Sequence, residues 1–298
     1  MSHVLTLAAP RGTLSPREVS SVRAALGNIG AAVGSPEWLA PGEAADIPFE
    51  ELATEQAEAA ARAALGDAPV DVVAQASEGR RKKLLLADMD STIVTTETLD
   101  ELAAFAGLKD RVSDITRRAM NGELDFAQAL RERVAMLGGL PVSALESTWA
   151  STEMTDGAAD LVATMRANGA RCVLVSGGFT FFTGRVAEHL GFHAHHSNTL
   201  LTRDGKLTGE VGEPILGRDA KLAALKRIAA ELGLPLSCTL AVGDGANDLD
   251  MLRAAGLGVA FKAKPIVAAA ARARVDHSGL RTLIFAQGFT AADIPKNQ

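Results

Sequence analysis

The chain has 298 residues, enough for one large domain or two smaller ones, and its composition, 47% hydrophobic and 22% charged, is that of a globular protein. Its net charge of -6 gives no overall attraction to nucleic acid or to an anionic membrane, so we expect neither as a partner. An anionic substrate would have to be bound by local positive groups.

Cysteine usage and the N-terminal residues bear on the compartment. Cys172 and Cys238 both lie in apolar runs and are too few for a disulfide framework, which indicates a reducing environment. The N-terminus lacks a basic segment followed by an apolar one, which argues against a signal peptide. No apolar stretch has the length of a membrane span. We therefore expect a soluble, cytoplasmic protein.

Residues 1–77 have the pattern of a small α+β domain. Strands are predicted over residues 4–8 and 70–73, and helices over residues 15–26 and 54–65. An order of strand, helix, strand, helix, strand suggests a ferredoxin-like sandwich.

A basic segment follows at residues 78–83, Glu-Gly-Arg-Arg-Lys-Lys. It could be a nucleic-acid or phosphate patch, or a solvated linker that leads into a buried strand. Because it has only four basic residues and no interleaved aromatic side chain, we favour the linker.

From Leu84 onward, short apolar runs alternate with helical stretches. The runs at residues 84–87, 172–175, 240–242 and 257–260 each end in a polar or glycine-rich corner. Continuous apolar strands are typical of a sheet covered on both faces, and their alternation with helices indicates an α/β, doubly wound parallel sheet. Since ligands bind such sheets at the carboxyl ends of the strands, the polar corners should converge in one crevice.

Helices of this core are predicted over residues 158–166, 220–232 and 249–255. Two insertions interrupt the alternation. Residues 95–152 are mostly helical and directly follow the first core strand, where they would form a cap over the crevice. Asp204-Gly205, between two alternating runs, predicts a β-hairpin. The core then comprises residues 84–94 and 153–298.

Four carboxylates lie in two of the corners. Asp88 and Asp90 follow the first core strand, and Asp244 and Asp248 follow the run at residues 240–242 among glycines that allow close backbone approach. Each corner alone could be an ordinary turn. Carboxylates together with phosphate oxygens and water are the ligands that Mg²⁺ prefers, so the pair of corners predicts a magnesium site.

The remaining corners offer groups for a phosphate. Ser176, Gly177 and Gly178 supply a hydroxyl and flexible amides after the second core strand, ahead of a helix. Lys221 lies at the start of a later helix. Singly these could be a loop and a surface lysine; their occurrence in this order after apolar strands makes a shared phosphate site the better interpretation.

In this order, the four motifs resemble those of the haloacid dehalogenase superfamily. They are residues 88–92 (Asp-Met-Asp-Ser-Thr), residues 176–178, Lys221 and residues 243–248 (Gly-Asp-Gly-Ala-Asn-Asp). The resemblance covers about residues 84–283 and is closest to the members that hydrolyse phosphoserine. It implies a haloacid dehalogenase-like (Rossmannoid) core with a helical cap, and a reaction that would complete L-serine biosynthesis.

The resemblance also implies a role for each motif residue. Asp88 would become an aspartyl phosphate, and Asp90 would protonate the leaving oxygen and later activate water. Mg²⁺ would be held by Asp88, the backbone carbonyl of Asp90, and Asp244. Ser176 and Gly177 would bind phosphate oxygens and Lys221 would neutralise charge. Asn247 and Asp248 would orient these groups.

For the amino-acid end of the substrate, the resemblance assigns four cap residues. Glu97 would take the ammonium and Arg133 the carboxylate, a bidentate pairing suited to guanidinium. The alternatives are a solvated acid in the first turn of a helix and an exposed partner of another charge. Met120 and Phe126 resemble apolar contacts to the substrate, but core packing would explain them almost as well.

Other assignments stay open. His189, His193, His195 and His196 match no zinc spacing and are expected in a partly exposed loop. The competing functions are phosphatase for another small phosphomonoester, phosphotransferase, and non-catalytic amino-acid sensor. Residues 1–77 faintly resemble ACT domains, chiefly at residues 9–12, which implies amino-acid binding or a homodimer through this domain.

Overall fold

The structure is a computed structural model that describes residues 2–296. Its strands are β1 (His3–Ala8), β2 (Ala32–Val33), β3 (Glu37–Ala40), β4 (Ala44–Glu50), β5 (Asp71–Ala76), β6 (Leu84–Ala87), β7 (Arg171–Phe179), β8 (Ala194–Asn198), β9 (Leu200–Arg203), β10 (Lys206–Val211), β11 (Thr239–Gly243), β12 (Leu257–Phe261) and β13 (Ala273–Val275). Its α-helices are α1 (Pro16–Asn28), α2 (Thr54–Leu65), α3 (Thr98–Ala104), α4 (Lys109–Met120), α5 (Phe126–Ala135), α6 (Ser143–Ala150), α7 (Ala158–Ala167), α8 (Thr180–Leu190), α9 (Arg218–Glu231), α10 (Leu249–Ala254), α11 (Pro265–Ala270) and α12 (Thr282–Ala286).

The chain divides into two compact units. The first comprises Met1–Lys83, Asp156–Ala170 and Ala273–Gln298, and the second comprises Leu84–Thr155 and Arg171–Arg272. The first unit therefore takes in α7 and the C-terminal segment, which the sequence analysis assigned to the core. No helix among residues 2–296 is both long enough and apolar enough to cross a bilayer.

The first unit contains the predicted α+β domain. Its antiparallel sheet has the order β2-β4-β1-β5, with β3 also paired to β4. Apolar side chains of the sheet, such as Leu5 and Ile47, pack with α1 and α2 residues such as Val22 and Ala61 in one buried core. The two predicted helices and two predicted strands are confirmed; the middle of the domain holds three strands instead of one.

Buried polar contacts tie the other segments into the first unit. Asp71, 1% exposed, accepts hydrogen bonds from the backbone N–H groups of Asp276, His277 and Ser278. Arg281 donates to both carboxylate oxygens of Glu43. These long-range contacts have no local sequence pattern, which is why the sequence analysis placed the segments elsewhere.

The basic segment at residues 78–83 is not fully solvated. Arg80 Nη1 lies 2.6 Å from the buried Asp46 carboxylate, and the guanidinium of Arg81 stacks over Phe289. Lys82 is only 8% exposed, and its Nζ donates to the carbonyl of Gly79. Arg80 and Lys82 therefore have polar partners within the first unit, whereas Arg81 and Lys83 are exposed, and the linker at residues 78–83 stays a prediction.

The second unit contains the predicted parallel sheet. Five strands pair in parallel in the order β12-β11-β6-β7-β8. The chain runs from β6 outward to β8 and then returns to β11 on the other side of β6. The topological switch point therefore lies between β6 and β11, where a doubly wound sheet opens a crevice at its carboxyl edge. All four residues of β6 are fully buried, as a strand covered on both faces requires.

The inserted segment forms the predicted helical cap. Helices α3 to α6 lie between β6 and the rest of the core, and α4 and α5 pack through Ile115, Ala119 and Ala129. The predicted hairpin is β9–β10, whose turn residues Asp204 and Gly205 have φ of 51° and 73°. Its Leu207 exchanges backbone hydrogen bonds with the segment after α5, at Gly139 and Leu140, so the hairpin supports the cap.

Two local expectations differ from the structure. Residues 176–178 lie within β7, whose pairing with β8 is interrupted between Val175 and Phe179, and α8 begins directly afterwards at Thr180. His195 and His196 lie in β8, where the sequence analysis expected a loop, and His189 lies in the last turn of α8. Polar histidines at a sheet edge gave no strand pattern.

Candidate active site

Asp88 follows directly after the end of β6, which fixes the position of its carboxylate. Asp88 is 5% exposed, and its N–H donates to the carbonyl of Val242, at the end of the neighbouring strand. The chain then turns tightly over residues 89–93, with Ser91 at a φ of 54°. This turn makes Met89 N–H donate to Asp88 Oδ1, which leaves Oδ2 free of that contact. Asp88 is thus held by backbone in a fixed orientation.

Lys221 lies between two carboxylates at the switch point. Its Nζ is 2.8 Å from Asp88 Oδ1 and 2.6 Å from Asp248 Oδ1, and the residue is 1% exposed. Burial lowers the pKa of Lys221, but the carboxylates of Asp248 and Asp88 outweigh burial and raise it above its ordinary value. The ammonium is therefore a permanent positive charge beside Asp88.

Asp248 is oriented by two donors. Its Oδ1 accepts from Lys221 and its Oδ2 from the N–H of Gly245. Burial, and then the Asp88 carboxylate, raises the pKa of Asp248 to about 8. Gly243 gives it room, since a Cβ there would lie 2.4 Å from Asp248 Cγ.

Asp244 has an oxygen that the protein leaves unsatisfied. Thr92 Oγ1 donates to its Oδ1 at 3.3 Å, whereas its buried Oδ2 has no hydrogen-bond partner among the described residues. The nearest charge to that oxygen is Lys264 Nζ, at 3.4 Å. Burial, and then the Asp88 carboxylate, raises the pKa of Asp244 to about 6. A buried carboxylate oxygen without a donor calls for a further partner.

The donor set fits a divalent cation. Asp88, Asp244 and Asp248 each present an oxygen, and these oxygens lie within 4.8 Å of one another. Three buried carboxylates repel unless a positive charge lies among them, and Mg²⁺ takes a few carboxylates with water and phosphate oxygens. The Asp90 side chain is not part of this group of carboxylates, and the use of its backbone carbonyl as a ligand stays a prediction.

Asp90 is held by the start of the cap. Its Oδ1 accepts from Thr98 N at 2.8 Å and from Thr98 Oγ1 at 2.7 Å. Its Oδ2 faces residues 176–178, the predicted phosphate-binding residues that we call the phosphate loop, and lies 3.3 Å from Ser176 Oγ. Burial raises the pKa of Asp90 to about 6, against the opposing effect of the Thr98 hydrogen bonds. A carboxyl group with this pKa can act as both acid and base near neutrality.

The phosphate loop requires its two glycines for close approach. Gly178 N donates to Ser176 Oγ at 2.8 Å. A Cβ on Gly178 would lie 2.6 Å from Asp90 Oδ2, and one on Gly177 would lie 2.5 Å from the Phe126 ring. Side chains at these positions would displace the acid or the aromatic wall.

The cap contributes two charged side chains of opposite sign. Glu97 Oε1 accepts from Ser91 Oγ at 2.7 Å, and burial together with Asp90 and Asp244 raises the pKa of Glu97 well above its ordinary value. Arg133 is 3% exposed; its Nη1 donates to Thr116 Oγ1, whose own hydroxyl donates to Asp100. Burial lowers the pKa of Arg133, while Glu97 and Asp100 oppose this effect.

A single small cavity connects the phosphate loop with the cap. All but two of the predicted site residues line it, and the lining comprises Asp88, Asp90, Glu97, Leu99, Met120, Phe126, Leu130, Arg133, Ser176, Gly177, Gly178, Phe179, Asp244 and Asn247. Lys221 and Asp248 lie behind Asp88. Its free volume is about 30 Å³, room for a few water molecules, so we expect the cap to move when a substrate enters.

Met120 and Phe126 form part of the wall of this cavity. Phe126 also borders a larger outer groove beside Gly217 and Arg218. Asn247 lines both spaces, and its buried Oδ1 has no hydrogen-bond partner among residues 2–296. The aromatic ring thus separates the inner cavity from the outer groove.

Sequence reasoning missed several residues that hold the site. Thr98 anchors Asp90, Ser91 anchors Glu97, and Thr116 supports Arg133. None of them carries a charge, and hydroxyls are common in loops. Lys264 could have been found, because it follows β12 at the same carboxyl edge as the other corners.

Comparisons with known proteins show the family of this chain. The sequence model of the haloacid dehalogenase-like hydrolases matches residues 85–253. A Streptomyces coelicolor protein named phosphoserine phosphatase is 45% identical over 232 residues, which make up 78% of this chain and 56% of that protein. The chain spans between 53% and 58% of the length of three such curated relatives.

Solved structures resemble about two thirds of this chain or nearly all of it. A structure described as a phospho-aspartyl intermediate analogue of phosphoserine phosphatase is 41% identical, with a TM-score of 0.66, covering 69% of this chain and 98% of that one. An unliganded structure of a probable phosphoserine phosphatase from Vibrio cholerae is 32% identical, with a TM-score of 0.77, covering 98% of this chain and 88% of that one.

Proposed function

This chain belongs to the haloacid dehalogenase-like hydrolases, and from that membership we propose that it is a Mg²⁺-dependent phosphatase that hydrolyses O-phospho-L-serine to L-serine and phosphate. One observation carries the proposal. One cavity is lined by Asp88 and Ser176, which suit a phosphate, and by Glu97 and Arg133, which suit an ammonium and a carboxylate. Together these residues match the groups of phosphoserine.

The nucleophile is Asp88. Its carboxylate must approach an anionic phosphate, so positive charge at the site is required. Lys221 Nζ, 2.8 Å from Asp88 Oδ1, supplies part of that charge. Attack on phosphorus forms an aspartyl phosphate and breaks the bond to the seryl oxygen. The resemblance to a protein captured as a phospho-aspartyl analogue supports this route.

Asp90 acts first as the general acid and then as the general base. As the acid it protonates the departing seryl oxygen, and as the base it then takes a proton from the water that attacks the aspartyl phosphate. Its raised pKa, about 6, supports both roles. Phosphate is released when this second step breaks the bond to Asp88.

Asp88 and Asp244 would hold Mg²⁺, with the backbone carbonyl of Asp90. When bound, the ion would neutralise charge on the carboxylates and phosphate. Asp244 Oδ2, which accepts no hydrogen bond among the described residues and has Lys264 Nζ only at 3.4 Å, supports this assignment.

The cap recognises the amino-acid end. Glu97 Oε1 is occupied by Ser91, so Oε2 is the oxygen left to accept from a substrate ammonium. Arg133 is buried and already held by Thr116 and the carbonyl of Ala129, which orients its guanidinium for a carboxylate. This pair would distinguish phosphoserine from phosphates without an amino-acid group.

The wider setting stays a prediction. Hydrolysis of phosphoserine would make this the final reaction of L-serine biosynthesis, in the cytoplasm, where the thiols of Cys172 and Cys238 would remain reduced. The N-terminal domain would bind an amino acid or join two copies of the chain.

The proposal is tested by phosphate release in the presence of Mg²⁺. We expect phosphoserine to exceed phosphothreonine, phosphoethanolamine and sugar phosphates in kcat/KM, and Asp88→Asn to be inactive. Arg133→Ala should reduce kcat/KM for phosphoserine by about 100-fold, the loss of a buried charged hydrogen-bonded contact. Phosphoethanolamine has the amine and phosphate but no carboxylate, so its loss should be much smaller. Equal losses on the two substrates would show that the assigned specificity is wrong.

A further inference from the structure

Residues 90 and 91, which follow β6, are hydrogen-bonded to residues 97 and 98, at the N-terminus of α3. Ser91, next to Asp90, donates its hydroxyl to Glu97 at 2.7 Å. Thr98, next to Glu97, donates its hydroxyl and its N–H to Asp90 at 2.7 and 2.8 Å. Ser91, the residue after Asp90, therefore binds Glu97, and Thr98, the residue after Glu97, binds Asp90.

The contacts of Asp90 distinguish its two oxygens. Oδ1 accepts two short hydrogen bonds from Thr98, which is 1% exposed. An oxygen that already accepts two donors is a poor position for an acidic proton, since the proton would displace one of them. Oδ2 points to the phosphate loop, 3.3 Å from Ser176 Oγ, and a Cβ on Gly178 would come within 2.6 Å of it. The acidic proton therefore belongs on Oδ2, facing the substrate phosphate.

The backbone between β6 and α3 supports the same geometry. Ser91 has a φ of 54°, a left-handed conformation that is uncommon for a residue with a side chain, and its N–H donates to the carbonyl of Thr96. This turn brings residues 90 and 91 back against residues 97 and 98. Thr98 is also the first residue of α3, so its N–H has no acceptor within the helix and is available to Asp90.

We propose that Thr98 is a positioning residue that aims the acidic oxygen of Asp90 at the leaving group, and that Ser91 does the same for Glu97, so that residues 90–91 and 97–98 act as one rigid clasp. The inference rests on the proposed function. Its consequence is that the ammonium site and the proton donor cannot move independently. A substrate amine bound at Glu97 then favours the orientation of Asp90 that protonates the leaving oxygen.

Leaving-group dependence separates this role from simple support of the fold. The first step of 4-nitrophenyl phosphate hydrolysis needs little protonation of the leaving group, whereas phenyl phosphate, like phosphoserine, needs much more. kcat/KM reports that step for each substrate. Thr98→Val removes the hydroxyl but retains shape and N–H. Thr98→Ser restores the hydroxyl, and Thr95→Val makes the same change at an exposed residue three positions earlier.

For Thr98→Val, we expect the loss in kcat/KM on phenyl phosphate and phosphoserine to exceed the loss on 4-nitrophenyl phosphate by roughly tenfold, part of what general acid catalysis supplies. Thr98→Ser should recover most of the loss, and Thr95→Val should resemble the wild type. A uniform loss on all three substrates, or no loss, would overturn the proposal, whatever the thermal stability of the variant.

Ser91 provides an independent arm. Ser91→Ala should raise KM for phosphoserine more than KM for phenyl phosphate, because only phosphoserine has an ammonium. An equal change in the two KM values would show that Ser91 does not position Glu97. The proposed function can fail separately. If the wild type prefers phenyl phosphate to phosphoserine, the substrate is wrong, while the contrast between the two phenyl esters still decides the role of Thr98. A wild type that cleaves neither class overturns both.

Discussion

Charge balance at single residues decides whether this site can exist. Lys221 compensates Asp88 and Asp248, all three of them buried. Lys221→Met keeps the length of the side chain but leaves two neighbouring carboxylates without their cation. We expect a loss of about 3 kcal/mol in the free energy of unfolding and a fall in kcat of at least about 1,000-fold, measured by urea denaturation and phosphate release.

A double variant distinguishes these two effects. Lys221→Met with Asp248→Leu replaces the buried ion pair by apolar groups, so stability should recover by at least about half while activity stays lost. Recovery of activity in the double variant would contradict the role of Lys221 at Asp88.

At the scale of secondary-structure elements, the contact between α10 and β12 limits which residues fit. A Cβ on Gly258 would lie 1.9 Å from the backbone oxygen of Leu252, an atom that cannot rotate away. We expect Gly258→Ala to lower the free energy of unfolding by about 3 kcal/mol through forced separation of the helix and the strand. Trp149 reports on this unit when Trp38 is replaced by phenylalanine.

Gly27 provides the contrasting case. It lies in the last turn of α1, and a Cβ there would meet nothing within 4 Å. Gly27→Ala should stabilise the first unit by up to about 1 kcal/mol, because alanine has the higher helix propensity and restricts the unfolded chain. Destabilisation at this position would contradict the described path of α1.

The guanidinium of Arg281 links three chain segments of the first unit. Arg281 pairs with Glu43 through two hydrogen bonds and with Asp160 through a third, and its side chain is 14% exposed. Arg281→Ala should cost about 2–3 kcal/mol, followed by Trp38 fluorescence in a Trp149→Phe background. Arg11→Ala is the matched control: Arg11 contacts the same acids but is 55% exposed, so about 0.5 kcal/mol is expected.

For the molecule as a whole, the proposed metal site predicts that ion binding and folding are linked. The carboxylates of Asp88 and Asp244, far apart in the chain, come together only in the folded protein. Mg²⁺ at about 100 times its dissociation constant should therefore add about 2.7 kcal/mol to the free energy of unfolding and raise Tm. Differential scanning calorimetry with Mg²⁺ or EDTA measures the shift without reference to activity.

Asp244→Asn gives the control for this linkage. It removes a metal ligand while keeping a side chain of the same size, so the rise in Tm with Mg²⁺ should largely disappear. An undiminished rise would mean that the ion binds elsewhere.

The predictable parts of the fold share a physical basis. The strands at residues 84–87 and 257–260 were predicted because both faces of each are covered, which leaves a continuous apolar run in the sequence. The short strands β2 and β3 were missed, because they lie at an edge and carry mixed residues. The burial of Lys82 was not predicted, because its backbone N–H donates to Gln287, far along the chain, and no local pattern shows this contact.

The sequence by itself determined the alternation of strands and helices in the parallel sheet, the strand ends at which Asp88 and Asp244 lie, and the hairpin at Asp204-Gly205, because each depends on local periodicity or turn chemistry. Only the tertiary structure decided which oxygen of Asp90 faces the phosphate loop, and that Thr98 binds Asp90 while Ser91 binds Glu97. Hydrogen bonds require placement to within a few tenths of an ångström, which the path of the whole backbone fixes and local patterns do not.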